Sequence, residues 1–200
     1  MSRRIGVLGG TFDPPHYGHL AMAETARVQL ALEKVLFVPA GQPPHKMDMV
    51  LSPARHRLAM VEAAIADNPA FAVSRADLDR PGPHYTVDLL RHLRRDYPGA
   101  DLYFLMGADS LAELLTWRDP AGILEQARLA VMPRTGYEPD VEALMAALPA
   151  LRERLIWLDI PFIEIAATDL RRRVRVGLPI RYLVPPAVEA YIRRERLYLR

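Results

Sequence analysis

Ile-Gly-Val-Leu-Gly-Gly-Thr-Phe-Asp-Pro-Pro-His-Tyr-Gly-His occupies Ile5–His19, near the start of the sequence. Its first four residues, Ile5–Leu8, form a short apolar run of the kind that predicts a buried strand. Gly9 and Gly10 end that run, and an amphipathic pattern typical of a helix starts near His19. A strand, a glycine turn and a helix in this order indicate the first unit of an α/β sheet.

The same alternation continues along the chain. Further short apolar runs predict strands at Val35–Val38, Phe71–Ser74, Leu102–Met106, Leu129–Met132 and Leu155–Leu158. Amphipathic stretches predict helices at about His19–Leu32, Pro53–Ala66, Val87–Asp96, Ser110–Leu115 and Glu142–Leu148, with later ones beginning near Thr168 and covering about Ala187–Arg194. Ser52-Pro53 and Asp119-Pro120 each predict an N-cap followed by proline at the first helical position. We therefore predict an α/β fold with a doubly wound, mostly parallel sheet. It forms a single domain over residues 1–200, with C-terminal helices (about 168–200) packed on the sheet.

The composition excludes several classes of site. The chain has 200 residues, of which 50% are hydrophobic and 25% charged, and it has no cysteine. Disulfides, thiolate metal sites and cysteine nucleophiles are therefore excluded, and the cytoplasm is the expected location. No secretory signal pattern and no run of about 20 apolar residues is present, so we expect no membrane association. The net charge is only +2 and no nucleic-acid-binding motif is found, so we expect no nucleic acid partner.

The loop that follows the first predicted strand has the strongest chemical pattern. Gly9 and Gly10 allow a phosphate to approach the backbone closely, and the next helix directs its free N–H groups to the same place. His16 and His19 are three residues apart, hence on nearly one helical face, and Gly18 between them leaves room for a bulky anion. Two imidazoles at a helix start suit charge that grows on a phosphoryl group. The simpler interpretation is a tight turn with surface or capping histidines.

Ligands of open α/β sheets bind beyond the carboxyl ends of the strands. That rule selects four loops, at Gly9–His19, Pro39–Leu51, Gly107–Trp117 and Ile165–Arg171. The first loop has neither the Gly-Lys-Ser/Thr of a P-loop nor the G-x-G-x-x-G of a dinucleotide fold.

Gly9–His19 resembles the signature of the HxGH nucleotidyltransferase superfamily. Over nearly its full length the chain is similar to bacterial nicotinate-nucleotide adenylyltransferase. The supporting segments, in the family's order, are Pro43–Lys46, His84–Asp88, Met106–Ser110 with Trp117, Pro133-Arg134 and Ile165–Arg171. The resemblance implies a Rossmann-like nucleotidyltransferase fold and adenylyl transfer from ATP to nicotinate mononucleotide, giving deamido-NAD and pyrophosphate. It also implies Mg²⁺ accompanying ATP as co-substrate, with no tightly bound cofactor and no protein metal site.

The resemblance implies three groups of site residues. The catalytic pair is His16 and His19. The expected ATP-binding residues are Gly9, Gly10, Thr11, Phe12, Gly18, Gly107, Asp109, Arg134, Thr168 and Arg171. The expected mononucleotide-binding residues are His45, Lys46, Tyr85, Thr86 and Trp117. Without the family, Lys46 reads as a solvated side chain and Trp117 as a core residue.

One segment departs from the family. Where the family has Ile-Ser-Ser-Thr-x-Ile-Arg, this chain has alanine at 166 and 167 in place of both serines. The hydroxyl contacts to phosphate are in question there, while Thr168, the helix N–H groups and Arg171 remain. Arg55 and Arg57, early in a predicted helix, are expected at the surface.

Two other functions fit parts of the pattern. Another HxGH transferase, with nicotinamide mononucleotide or phosphopantetheine as acceptor, shares the first motif. A non-catalytic nucleotide-binding module is the alternative from a different class, and the presence of both His16 and His19 argues against it. The sequence does not decide the oligomeric state or the preferred metal.

Overall fold

The computed structural model describes residues 2–41, 51–160 and 163–199. Within them the chain forms one six-stranded sheet whose paired strands all run parallel. The strands are β1 (Arg4–Gly10), β2 (Lys34–Pro39), β3 (Phe71–Val73), β4 (Asp101–Gly107), β5 (Ala127–Met132) and β6 (Leu155–Trp157). Their order in the sheet is β3-β2-β1-β4-β5-β6. The predicted doubly wound α/β fold is confirmed, and the predicted strands all form within a few residues of their expected bounds.

The helices follow the predicted alternation. They are α1 (Tyr17–Gln29), α2 (Ala54–Ile65), α3 (Thr86–Asp96), α4 (Ala108–Ala112), α5 (Pro120–Gln126), α6 (Val141–Ala147), α7 (Leu151–Arg154), α8 (Ala167–Arg175) and α9 (Pro186–Arg194). A short 3₁₀ helix, Leu114–Thr116, follows α4. No helix in the described ranges is long and apolar enough to cross a membrane.

The two predicted proline caps have different outcomes. Asp119 caps α5 as predicted, because its carboxylate accepts a hydrogen bond from the Gly122 N–H and Pro120 takes the first helical position. The prediction for Ser52 is wrong, since Pro53 is the cap residue and α2 begins one residue later. The Ser52 N–H instead donates to the Asp13 carboxylate at 3.0 Å, which ties it to the first loop.

Two apolar clusters cover the two faces of the sheet. On one face the strands pack against α3–α7, whose buried residues include Leu90, Leu111 and Ile123. On the other face they pack against α1, α2, α8 and α9. Because β1 and β4 are neighbours whose following helices lie on opposite faces, the loops after these strands diverge and leave a crevice between them.

Candidate active site

A cavity of about 380 Å³ lies at the carboxyl ends of β1, β4 and β5, in this crevice. Most of the residues predicted for the site line it: Gly9, Gly10, Thr11, Phe12, His16, Gly18, His19, Gly107, Asp109, Trp117, Arg134, Thr168 and Arg171. Sequence reasoning did not single out other lining residues, among them Met22, Ile163 and Glu164. The carboxyl-end rule therefore placed this cavity correctly.

Two of the other predicted residues, Tyr85 and Thr86, are not among the residues that line the cavity. Tyr85 caps the start of α3 and Thr86 is its first residue, and neither lines the cavity in the described part of the chain. The Arg118 guanidinium lies 4.6 Å from the centre of the Tyr85 ring, which places the start of α3 beside the residue after Trp117. His45 and Lys46 lie outside the described residues.

The two predicted catalytic histidines lie face to face. Their ring centroids are 3.7 Å apart, with an interplanar angle of 28°. His19 Nδ1 accepts a hydrogen bond from the His16 backbone N–H at 3.2 Å. A neutral His19 therefore carries its proton on Nε2, which makes that nitrogen the donor of the ring.

The chain before the histidines has a strained backbone. Phe12 has φ of 49°, in the left-handed region that non-glycine residues rarely adopt. Its ring is buried and contacts the His19 ring edge-on at 5.0 Å. Strain of this kind persists only where the surroundings fix it. Here it places an aromatic ring against His19 and limits how that imidazole is oriented.

His16 is a neutral group in this site. Burial, and secondarily the positive charge of Arg134, lowers the pKa of His16 from 6.5 to about 4. Its Nδ1 is buried and has no hydrogen-bond partner among the described residues. A Cβ added at Gly18 would meet that nitrogen at 3.1 Å. Gly18 thus makes room for the His16 ring, whereas the sequence predicted room for an anion.

The low pKa of His16 predicts acid sensitivity. The unfolded chain binds this proton near pH 6.5 and the folded chain only near pH 4, so stability is lost as the pH falls through that window. A shift of this size corresponds to roughly 3 kcal/mol when complete. Urea unfolding at pH 7, 6, 5 and 4 measures it, and the His16→Gln variant corrects for the other groups that titrate in this range. If the free energy of unfolding falls equally with pH in the native protein and in His16→Gln, the low pKa of His16 is contradicted.

Two helices, α1 and α8, begin at the cavity. At the start of α1 the Tyr17 N–H donates to the Leu183 carbonyl. The backbone N–H of Gly18 has no hydrogen-bond acceptor among the described residues. At the start of α8 the cap is Ala166, and Ala167 and Thr168 border the cavity. Unpaired first-turn N–H groups and the positive end of the helix dipole both favour an anion. The replacement of two serines by alanine therefore leaves the helix N-terminus in place.

Asp109 and Arg134 form an ion pair in the cavity wall. Arg134 Nη1 lies 2.6 Å from Asp109 Oδ2, and both side chains are about one-third exposed. Asp109 belongs to the first turn of α4, and Gly107 before it would overlap the Asp109 carboxylate if it carried a Cβ. The pair joins the loops after the neighbouring strands β4 and β5.

Trp117 packs against the core on one part of its ring and borders the cavity as well. Its ring contacts Phe104 edge-on at 6.1 Å, so one part packs against the core. It is half-buried and also lines the cavity. A planar ring held by the core but open on one side is a platform for a second flat ring.

Arg57 is buried, contrary to the surface position expected for it. Only 2% of it is exposed, because its guanidinium donates to the carbonyl oxygens of Thr11 (2.9 Å), Ala40 (2.7 Å), Gly41 (3.3 Å) and Ser52 (3.0 Å). The helical spacing to Met60 and Val61 was the signal that placed Arg57 on the buried face. Arg55 is exposed as expected.

The family model and the relatives that match this sequence agree on one family of proteins. The model of the cytidylyltransferase-like family matches residues 7–173. A Thermomicrobium roseum protein described as "probable nicotinate-nucleotide adenylyltransferase" is 53% identical over 98% of this chain and 91% of its own. A Roseiflexus protein with the same description is 51% identical over 98% of both chains.

A solved structure supports the fold independently. Nicotinic acid mononucleotide adenylyltransferase of Plasmodium falciparum, in complex with NaAD, superposes with a TM-score of 0.79 at 20% identity. The superposition covers 98% of this chain and 97% of that one. At this identity the likeness concerns the fold, whereas the relatives above match 98% of this chain in sequence. The chain belongs to the nicotinate-nucleotide adenylyltransferase family.

Proposed function

We propose that this protein transfers the adenylyl group of ATP to nicotinate mononucleotide, giving deamido-NAD and pyrophosphate for NAD synthesis. We place this activity in the cytoplasm, in keeping with the absence of cysteine. The observation that carries the proposal is the stacked pair His16 and His19 at the start of α1, in a cavity that also meets the start of α8.

The reaction needs no covalent group from the protein. An oxygen of the mononucleotide phosphate attacks the α-phosphorus of ATP and forms the new P–O bond. The bond from that phosphorus to the α,β-bridging oxygen breaks, and pyrophosphate leaves with the electron pair. The protein then contributes alignment of the two phosphates and donors for the charge that grows between them.

The two histidines supply such donors in different ways. His19 is oriented by the His16 N–H and by the Phe12 ring, so its Nε2–H is directed without reorganisation during the reaction. His16 is neutral at physiological pH, so its ring donates one hydrogen and adds no fixed charge. Arg171, which borders the cavity on α8, adds a positive charge.

The co-substrate in this proposal is ATP with its Mg²⁺, which neutralises charge on the triphosphate. Within the described ranges no group of three or more histidine, aspartate or glutamate residues is arranged to hold a metal. Phosphate oxygens and water suit Mg²⁺ as ligands without a protein cage. The cavity is therefore compatible with a metal that enters together with the nucleotide.

The mononucleotide is proposed to bind between Trp117 and the start of α3. The pyridine ring would stack on Trp117, and the N–H groups at Tyr85 and Thr86 would favour the nicotinate carboxylate over a neutral carboxamide. His45 and Lys46 remain proposed ligands of the substrate phosphate.

Trp117→Ala is expected to raise KM for the mononucleotide by about two- to tenfold and leave that for ATP nearly unchanged. The reason is the loss of one stacking face beside the cavity. Steady-state kinetics with each substrate varied in turn gives both constants. Trp157→Ala is the matched control, since Trp157 lies on β6 with 43% of it exposed. An equal rise for both substrates, or unfolding at room temperature, would leave Trp117 as a core residue only.

The substrate is tested by comparing nicotinate and nicotinamide mononucleotides side by side. We expect a kcat/KM about two- to fivefold higher for nicotinate mononucleotide, because a helix start favours an anion by about 0.3–1 kcal/mol. Equal constants would remove the argument from the start of α3, and a preference for the amide would reassign the acceptor. Adenylyl transfer to neither would overturn the proposed function.

A further inference from the structure

A network of buried polar groups holds Asp13, three residues before His16. Asp13 is 1% exposed. Its Oδ2 accepts from the Ser52 N–H at 3.0 Å, and its Oδ1 accepts from the Tyr198 hydroxyl at 2.6 Å. A buried carboxylate is costly unless donors satisfy its oxygens. Two distant parts of the chain therefore converge on this one side chain.

Tyr198 is held in place for this contact. It follows α9 and has φ of 65°, and Arg196 before it has φ of 53°. A left-handed backbone conformation at non-glycine residues persists only where the surrounding structure fixes it. Burial, followed by the negative charge of Asp13, raises the pKa of the Tyr198 hydroxyl, so this group stays protonated and donates.

We propose that Tyr198 is a positioning residue for adenylyl transfer, which acts by fixing Asp13 and, through it, the loop that carries His16. This inference rests on the proposed function for the reaction it names. The contacts that carry it come from the fold alone.

Asp13 is connected to the cavity at two points. Its backbone carbonyl accepts from Arg171 Nη1 at 2.7 Å, and Arg171 borders the cavity. Phe12, directly before it, contacts the His19 ring, and His16, three residues after it, stacks on that ring. If the carboxylate moves, both the cation on α8 and the imidazoles at the start of α1 are displaced. A displacement of about 1 Å far from the reacting atoms lowers rates by as much as about 10²-fold.

The variant Tyr198→Phe tests this by removing only the hydroxyl. Tyr191→Phe is its matched control, because the Tyr191 hydroxyl lies 3.0 Å from His56 Nδ1 and so also links α9 to α2. The measurements are kcat/KM for ATP, the melting temperature, and amide hydrogen exchange at Ser52 compared with the central strand β4.

We expect Tyr198→Phe to lower kcat/KM for ATP by about tenfold, the effect of one lost bond to a charged group. Exchange at Ser52 should become faster while β4 stays protected. Tyr191→Phe should change neither quantity, at a similar melting temperature. Equal behaviour of the two variants overturns the inference. Faster amide exchange at Ser52 together with an unchanged kcat/KM for ATP also overturns it, because the loop then moves without effect on the reaction.

Failure of the proposed function gives a different result. If the native protein forms no dinucleotide with either mononucleotide, ATP affinity measured by calorimetry takes the place of turnover. Weaker ATP binding in Tyr198→Phe alone then supports the positioning of this loop. Equal affinities in both variants overturn it.

Discussion

Replacing His19 with alanine is expected to lower kcat by about 10²–10³-fold and to change binding of the mononucleotide little. His19 Nδ1 is occupied by the His16 N–H and its ring is braced by Phe12, so Nε2–H is a preorganised donor. Such a donor acts mainly on charge that exists only in the transition state, so kcat and kcat/KM should fall together.

The control for His19→Ala is His92→Ala. His92 lies on α3, 3.4 Å from Asp96, and does not line the cavity. It should retain native kinetics at a similar melting temperature. Near-normal turnover in folded His19→Ala would remove His19 from the mechanism. A rise in KM with unchanged kcat would make it a binding residue only.

Replacing Arg57 with methionine is expected to lower the free energy of unfolding by about 3–5 kcal/mol. The change leaves the carbonyl groups of Thr11, Ala40 and Ser52 without their donor and removes the positive charge that faces Asp13. Buried groups that lose their partner carry the full cost of desolvation.

Urea unfolding of Arg57→Met, beside Arg55→Met, measures this effect. The two arginines belong to the same turn of α2, but Arg55 is exposed. We expect Arg55→Met to change stability by less than about 0.5 kcal/mol. A similar small change in Arg57→Met would mean that its hydrogen bonds contribute nothing net to the fold.

The sheet and the position of the cavity could be predicted because both follow from local patterns. Runs such as Ile5–Leu8 and Leu129–Met132 are short and apolar, and the carboxyl-end rule then selects the loops after β1 and β4. The helix starts were less exact. Ser52 was predicted as a helix cap, but the cap is Pro53 and the Ser52 N–H donates to Asp13 instead. That contact spans 39 residues, so no local sequence pattern indicates it.

The network around Asp13 could not be predicted for the same reason. Tyr198 lies 185 residues from Asp13, and nothing in either neighbourhood predicts that they meet. The surface position predicted for Arg57 was wrong because its charge suggested exposure, whereas its helical spacing indicated the buried face. Its guanidinium can be buried because it donates to several carbonyl groups at once. The neutral state of His16 depends on burial by the fold, which the sequence does not display.

ATP labelled in turn at the α- and γ-phosphorus, incubated with nicotinate mononucleotide and Mg²⁺, follows the transferred group directly. We expect the α-label to appear only in the dinucleotide and the γ-label only in pyrophosphate, with no label on the protein at any time. His19→Ala should give the same products at about 10²–10³-fold lower rate. An α-label retained on the protein, or a γ-label transferred to the mononucleotide, would contradict direct attack on the α-phosphorus.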